Sequence, residues 1–248
     1  MNIAIIQARM GSSRLPGKVL MPLDGKPILK YQIERVVKAQ TIDKVVVATS
    51  NLEQDDVIFN FCISENIECY RGSEDDVLSR YYDAAIKHQA KNIIRLTADC
   101  PFSDPKVIDG VVNKLINEKL DYAANTVPPE TSTFPDGSDV EVFTLSALTT
   151  AYEEAVLPAD REHVTFYFWK GEEAQKFKTG QYGQAVNDSR YRVTVDYPED
   201  YELAKKLALL IKQASVFGHL PFILDVLKST PELVALNDQY HFGIGWKK

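Results

Sequence analysis

Residues 9–18 read Arg-Met-Gly-Ser-Ser-Arg-Leu-Pro-Gly-Lys, directly after the apolar run Ile3, Ala4, Ile5 and Ile6. Small residues let backbone N–H groups close on an anion, and Arg9, Arg14 and Lys18 carry the charge to neutralise it. The chemistry indicated is phosphate binding, with Ala8, Gly11, Ser12 and Ser13 lining the loop. The spacing is not the Walker pattern, because Gly11 and Gly17 are six apart and Val19 follows Lys18, and it is not G-x-G-x-x-G. ATPase and dinucleotide readings therefore lose their usual support. A solvated surface turn is the plain alternative for a cationic loop; the apolar run immediately before it argues for the anion site.

Two carboxylates stand at comparable places. Asp99 ends the run Ile-Ile-Arg-Leu-Thr-Ala-Asp, and Asp196 ends Arg-Val-Thr-Val-Asp. A pair of carboxylates with water and phosphate oxygens suits Mg²⁺. The alternative for each alone is capping, Asp99 at the turn into Pro101 and Asp196 at the helix starting at Pro198. His163, in Arg161-Glu162-His163, is either an acid–base group or a structural hydrogen-bonding residue. Cys100 adjoins Asp99, but no base to activate it is evident.

The elements that must position these groups alternate. Strands are expected at 3–6, 44–49, 67–70, 92–97, 121–125, 139–143 and 191–195. Helices are expected at 27–40, 55–66, 77–88, 105–119, 146–155 (capped by Ser146), 161–170, 198–212 and 220–236, the last broken near Pro231. This β-α-β-α rhythm predicts an α/β fold with a mostly parallel sheet and helices on both faces. Ligands of such sheets sit beyond the carboxyl ends of the strands. Polar groups follow five of them: the first loop, Thr49-Ser50-Asn51, Arg71-Gly72-Ser73 with Ser79 behind, Asp99, and Asp196. One domain spanning 1–248 is expected, with an excursion at about 126–190 that opens on a loop rich in Pro, Thr and Ser.

Bulk properties narrow the classes. The 248 residues are 45% hydrophobic and 25% charged, ordinary for a globular chain. A net charge of -7 argues against a general nucleic-acid binder. Three cysteines, none in a CxxC pair, argue against a disulfide framework or zinc site. No apolar run approaches ~18 residues and no signal-peptide pattern opens the chain, so the expectation is a cytoplasmic protein with no membrane association.

Five ordered segments carry a resemblance. They are Gln7 to Lys18, Arg71 to Arg80 (Arg-Gly-Ser-Glu-Asp-Asp-Val-Leu-Ser-Arg), Leu96 to Pro101, Arg161 to Thr165 and Arg192 to Asp200. Together the chain resembles the sugar-acid cytidylyltransferases, which include the enzymes activating 3-deoxy-manno-octulosonate and N-acylneuraminate, and within them the spore coat polysaccharide biosynthesis branch. The resemblance implies a Rossmann-like sheet of the nucleotide-diphospho-sugar transferase type. It implies transfer of CMP from CTP to a sugar acid or related acceptor, release of pyrophosphate, and a homodimer with the excursion at its interface. Carried over by position, Arg14 and Lys18 hold the triphosphate with Arg9 nearby, Arg71 and Ser79 lie near the cytosine, and Asp99 and Asp196 hold Mg²⁺. For an anionic acceptor, Arg161 and His163 are the candidate cations, with Asp136, Ser138 and the rest of 136–139 as hydroxyl partners. Ala98 stands where many relatives have glycine. The rivals are a glycosyltransferase on the same sheet using a nucleotide sugar, and a nucleotide-binding protein without catalysis.

Overall fold

The computed structural model describes residues 1–241 and 243. In chain order the strands are β1 (Asn2–Gln7), β2 (Pro22–Leu23), β3 (Lys26–Pro27), β4 (Lys44–Ser50), β5 (Glu68–Gly72), β6 (Asn92–Thr97), β7 (Tyr122–Ala124), β8 (Glu141–Thr144) and β9 (Thr179–Gln181). The helices are α1 (Ile28–Val36), α2 (Asp56–Ser64), α3 (Val77–Lys87), α4 (Pro105–Glu118), α5 (Leu145–Glu154), α6 (Pro158–His163), α7 (Phe166–Trp169), α8 (Pro198–Gln213), α9 (Leu220–Ser229) and α10 (Pro231–Val234). Seven strands form one sheet in the order β5-β4-β1-β6-β8-β7-β9, and β2 and β3 form a separate hairpin.

The sheet follows from the apolar runs. Side chains alternate between faces along a strand, and here both faces are covered. Ala4 and Ile6 of β1 join one core, with Leu29, Val111 and Leu207 from α1, α4 and α8. Ile3 and Ile5 join the other, with Leu78, Leu148 and Phe168 from α3, α5 and α7. A strand buried on both sides must be apolar throughout, which is how β1 and β4 read in the sequence. β5, β4, β1 and β6 run parallel, so their carboxyl ends share one rim. β8 is antiparallel to both its neighbours, β6 and β7. The region from 126 to 190 therefore contributes two strands, β8 and β9, to the main sheet.

Several expectations are corrected. Residues 191–195 do not join the sheet: their one bridge, Asp136 to Arg192, is to the loop before β8, and their backbone bonds go to loops. The helix expected at 161–170 is two, broken where Val164 takes a φ of 60°. Thr144, not Ser146, caps α5: its side chain accepts from the Ala147 N–H at 3.1 Å. The β2–β3 hairpin and β9 have too few residues to show a period and were not expected. Ala98 keeps a negative φ, so its methyl is accommodated without strain. The C-terminal run holds the aromatic residues Tyr240, Phe242 and Trp246; Tyr240 stacks its ring on Tyr197 at 3.8 Å, and Phe242 and Trp246 lie outside the described residues. Among the described residues no helix is long and apolar enough to cross a membrane.

Candidate active site

The loop after β1 is held open from beneath. Asp55 accepts the Met10 N–H at 2.7 Å, and the Ser12 and Gly17 N–H groups both return to the Met10 carbonyl at 2.9 and 3.0 Å. Gly17 takes a φ of 71°, a conformation that favours glycine, and turns the chain into a short 3-10 helix beginning at Lys18. Among the described residues, the N–H groups of Gly11, Ser13 and Arg14 have no partner within the chain. Unpartnered N–H groups in a tight loop are a concavity for an anion.

Residues 191–195 thread between two loops and carry Asp196 to Asp99. Val193 N–H donates to the Asp136 carbonyl at 2.7 Å, and Val195 N–H donates to the Asp99 carbonyl at 2.8 Å. Asp196 does not cap α8. That work falls to Asp200, whose carboxylate accepts the Asp196 and Tyr197 N–H groups at 2.9 and 3.0 Å. The Asp196 carboxylate is thereby left for charged partners. Gly137 makes the close approach possible: it has a φ of 95°, and a Cβ there would lie 2.2 Å from the Thr194 nitrogen. Gly137→Ala is expected to cost about 2–4 kcal/mol of stability, since backbone must shift and a non-glycine residue must adopt that φ. Urea unfolding of the two proteins measures it.

At the centre stands Lys18, 7% exposed. Its Nζ donates to Asp99 Oδ2 at 2.8 Å and to Asp196 Oδ1 at 2.7 Å. Arg14 reaches the same Asp196 oxygen at 2.9 Å, its guanidinium 5.0 Å from the centre of the Tyr197 ring. Arg192 binds Asp136, Asp196 and Asp200, at 3.3 Å to Asp196 and 2.9 Å to Asp200. Burial works against the charge on Lys18, yet Asp99 and Asp196 outweigh it and raise its pKa. Burial likewise opposes ionisation of Asp99, and Lys18 overcomes it, holding that carboxyl well below the ordinary range.

The cluster is short of positive charge. Five carboxylates (Asp99, Asp136, Asp139, Asp196 and Asp200) face Lys18, Arg14 and Arg192. Burial, joined by repulsion from Asp139, pushes the Asp136 carboxyl well up. Burial also pushes Asp139 up to about 6, with Glu141 and Asp99 adding to it against hydrogen bonds from Thr126 and Gly137. A divalent cation on Asp99 and Asp196 fits both the shortage and the convergence of two carboxylate oxygens on one point. Among the described residues no group of three or more histidine, cysteine, aspartate or glutamate side chains is arranged to hold a metal. Such an ion would complete its shell with water and phosphate oxygens. Burial, with Asp99 and Asp139, pushes the Cys100 thiol well up, which removes it as a nucleophile.

The remaining expected residues divide. Arg9 and Gly11 lie on the loop, Arg9 exposed and Gly11 beneath Gln54 and Glu74. Arg71 stands at the rim with its donors committed, to Asp56 at 2.6 Å and to the Ser50 and Leu52 carbonyls at 3.0 and 2.9 Å. Ser79 sits in the first turn of α3, its N–H and hydroxyl both bound to Asp76 at 2.9 Å. Arg161 pairs with Asp76 at 2.7 Å and binds the Tyr152 and Ala155 carbonyls, joining α6 to α3. Ser138 is buried, donating to the Pro135 carbonyl at 2.7 Å. His163 lines a cavity of about 50 Å³ with Arg95, Thr126, Asp139, Glu141 and Trp169. The structure thus brings Arg14, Lys18, Asp99, Asp136 and Asp196 together, while Arg161 is committed to Asp76 and His163 lines the cavity. Sequence reasoning gave no role to Arg192 or Asp200. The alternation of an extended run puts Arg192 and Asp196 on one side, and that was the available signal.

Comparison with known proteins agrees with this geometry. The model of the cytidylyltransferase family matches residues 3–219. The spore coat polysaccharide biosynthesis protein SpsF of Bacillus subtilis is 35% identical over 211 residues, 82% of this chain and 84% of that protein. A cytidylyltransferase structure from Leptospira borgpetersenii shares 34% identity with a TM-score of 0.85, covering 94% of this chain and 96% of that one. The structure of CMP:2-keto-3-deoxy-manno-octonic acid synthetase complexed with CTP shares the fold at 18% identity, TM-score 0.60, covering 86% and 99%. A sheet shared with a cytidylyltransferase structure and a family match over most of the length lead to one statement: this chain belongs to the cytidylyltransferase family and is a CTP-dependent nucleotidyltransferase.

Proposed function

We propose that the chain transfers CMP from CTP to a sugar acid or related acceptor, releasing pyrophosphate, in the making of a surface polysaccharide or glycoconjugate. The observation that carries this reading is the Lys18, Arg14, Asp99 and Asp196 cluster set against three unpartnered loop N–H groups. Similarity to SpsF supports the pathway class, and the CTP complex of a protein of the same fold supports the nucleotide.

In this reading an acceptor oxygen attacks the α-phosphorus in line. The new O–P bond forms as the bond to the β-phosphate oxygen breaks. The Gly11, Ser13 and Arg14 N–H groups, with Arg14 and Lys18, hold the charge that develops on the departing pyrophosphate. Asp99 and Asp196 would hold Mg²⁺, which when bound would supply neutralisation of phosphate oxygens. The acceptor side of the site is the 126–190 excursion, where His163 and Asp139 line a water-sized cavity. Asp139, poised near neutrality between that cavity and Asp99, is the carboxylate placed to receive the acceptor's proton. Arg71 shapes the nucleoside rim by fixing the turn after β4, and Ser79 lies behind it.

The working unit in this reading is a cytoplasmic homodimer, one domain whose 126–190 excursion builds the interface and the acceptor side. Val156 and Leu157, 84% and 60% exposed in that excursion, are apolar surface for a second copy. Sedimentation equilibrium checks the dimer.

The deciding experiment is a pyrophosphate-release screen of CTP, UTP, ATP and GTP against sugar acids and phosphorylated polyols. Release with CTP and one acceptor class is the expected result. Release with no nucleotide, beside consumption of a nucleotide sugar, would move the protein to the glycosyltransferases; CTP binding without turnover would make it a non-catalytic binder.

A further inference from the structure

Lys18 stands on the point that the metal reading requires. Its Nζ is 2.8 Å from Asp99 Oδ2 and 2.7 Å from Asp196 Oδ1. A Mg²⁺ ion held by the same two oxygens needs them at about 2.0–2.1 Å. Ammonium and metal would then contend for one small volume from which water is largely excluded, and two cations at such separation repel strongly. They cannot share the carboxylates as these now stand.

The chain offers Lys18 another destination. Its backbone is fixed at the start of a 3-10 helix, but a four-carbon stem carries the charge. The unpartnered N–H groups of Gly11, Ser13 and Arg14, where phosphate oxygens would lie, belong to the same loop. Arg192 pairs with the other Asp196 oxygen, Oδ2, at 3.3 Å and does not contend for the point between Asp99 and Asp196, while Arg14, on Oδ1 at 2.9 Å, is on the same loop and turns to the phosphate with Lys18. A short swing exchanges two carboxylates for phosphate oxygens and leaves Asp99 and Asp196 aimed at one point.

We propose that Lys18 is a placeholder cation, which keeps Asp99 and Asp196 converged, excludes free divalent metal, and gives up its place only when a nucleoside triphosphate offers the ammonium new oxygens. The proposal rests on the reading of Asp99 and Asp196 as metal-binding residues. Metal and nucleotide then strengthen one another's binding by the same factor. The arrangement also gives Lys18 two duties in succession, positioning the carboxylates before substrate arrives and holding phosphate afterwards.

The test is a Mn²⁺ titration without nucleotide, read by the electron paramagnetic resonance signal of the free ion. It compares the wild-type chain with Lys18→Met and Lys18→Arg. Removing the competing charge should tighten Mn²⁺ binding at least about tenfold in Lys18→Met, within the usual range of coupling between sites. Lys18→Arg, which keeps the charge, should bind as weakly as wild type. Where Lys18→Met does not fold, Lys18→Gln, uncharged but still a donor, takes its place with the same expected tightening. Equal or weaker Mn²⁺ binding in the folded, uncharged variant would overturn the placeholder. Absence of pyrophosphate release from CTP by the wild type would end the reading of the reaction instead, leaving this titration to stand by itself.

Discussion

Asp99→Asn should lower the rate of pyrophosphate release from CTP by at least about 100-fold, the scale for losing a directed charge at a reacting phosphate. The substitution keeps the size and one oxygen of the side chain and removes only the charge. In the free protein it takes from Lys18 one of its two carboxylate partners, at 2.8 Å, and leaves the other at 2.7 Å. Turnover within a few-fold of wild type would remove Asp99 from the reaction. Stability gives a second handle with a definite sign. The folded pKa of Asp99 lies below its ordinary value. The stabilisation it provides is therefore complete above about pH 4 and is lost as pH falls below that. The gap in melting temperature between wild type and Asp99→Asn should be constant near neutrality and shrink in acid.

The second large effect concerns stability. Arg192→Leu should destabilise the fold by about 3–5 kcal/mol, because it strands buried carboxylates and does not merely delete a favourable contact. Arg192 is 7% exposed and serves Asp136, Asp196 and Asp200 at once. Asp200 is 1% exposed, and with Arg192 gone it keeps Asn237, at 2.8 Å, and the two N–H groups of the α8 cap. Protonation relieves a stranded carboxyl of its need for a cation, so the deficit should diminish as pH falls. Urea unfolding at pH 7 and pH 5 measures both the size and the trend; a deficit under about 1 kcal/mol at pH 7 would show that the three carboxylates tolerate the loss.

The middle of the sheet was legible because β1 and β4 are buried on both faces, and such strands read as apolar runs. The rim was legible for a related reason: in β1, β4 and β6 the apolar run stops where the small and polar residues begin, at the carboxyl ends that share one rim. What stayed hidden depends on partners far away in the chain. Residues 191–195 have the composition of a strand, yet their hydrogen bonds go to Asp136 and Asp99, and nothing local records that. Arg71 and Arg161 look like free cations in the sequence. Asp56, Asp76 and four backbone carbonyls occupy them in the structure. Ser146 lost its capping role to Thr144 by two positions, a distance at which propensity alone does not discriminate. Arg14, Lys18, Asp99 and Asp196, which the family resemblance named from distant segments, do meet in one cluster, but the resemblance was silent on Arg192, which binds three of the five carboxylates there.

The ion pairs that define the site also fix when it is made. Lys18 meets Asp99 across 81 residues and Asp196 across 178, while Asn237 meets Asp200 across 37. Closing such long loops is slow, and contacts of high sequence separation lengthen folding times. β1, β4, β5 and β6 can pair and bury the face covered by α3, α5 and α7 before residue 192 has left the ribosome, whereas the other face waits for α8, and the Lys18–Asp99–Asp196 cluster cannot close until residues 191–200 have threaded past Asp99 and residues 237–240 have packed over them. On refolding, helical and sheet signals should therefore return ahead of the ability to bind nucleotide, with the interval set by the docking of the segment from residue 191 onward.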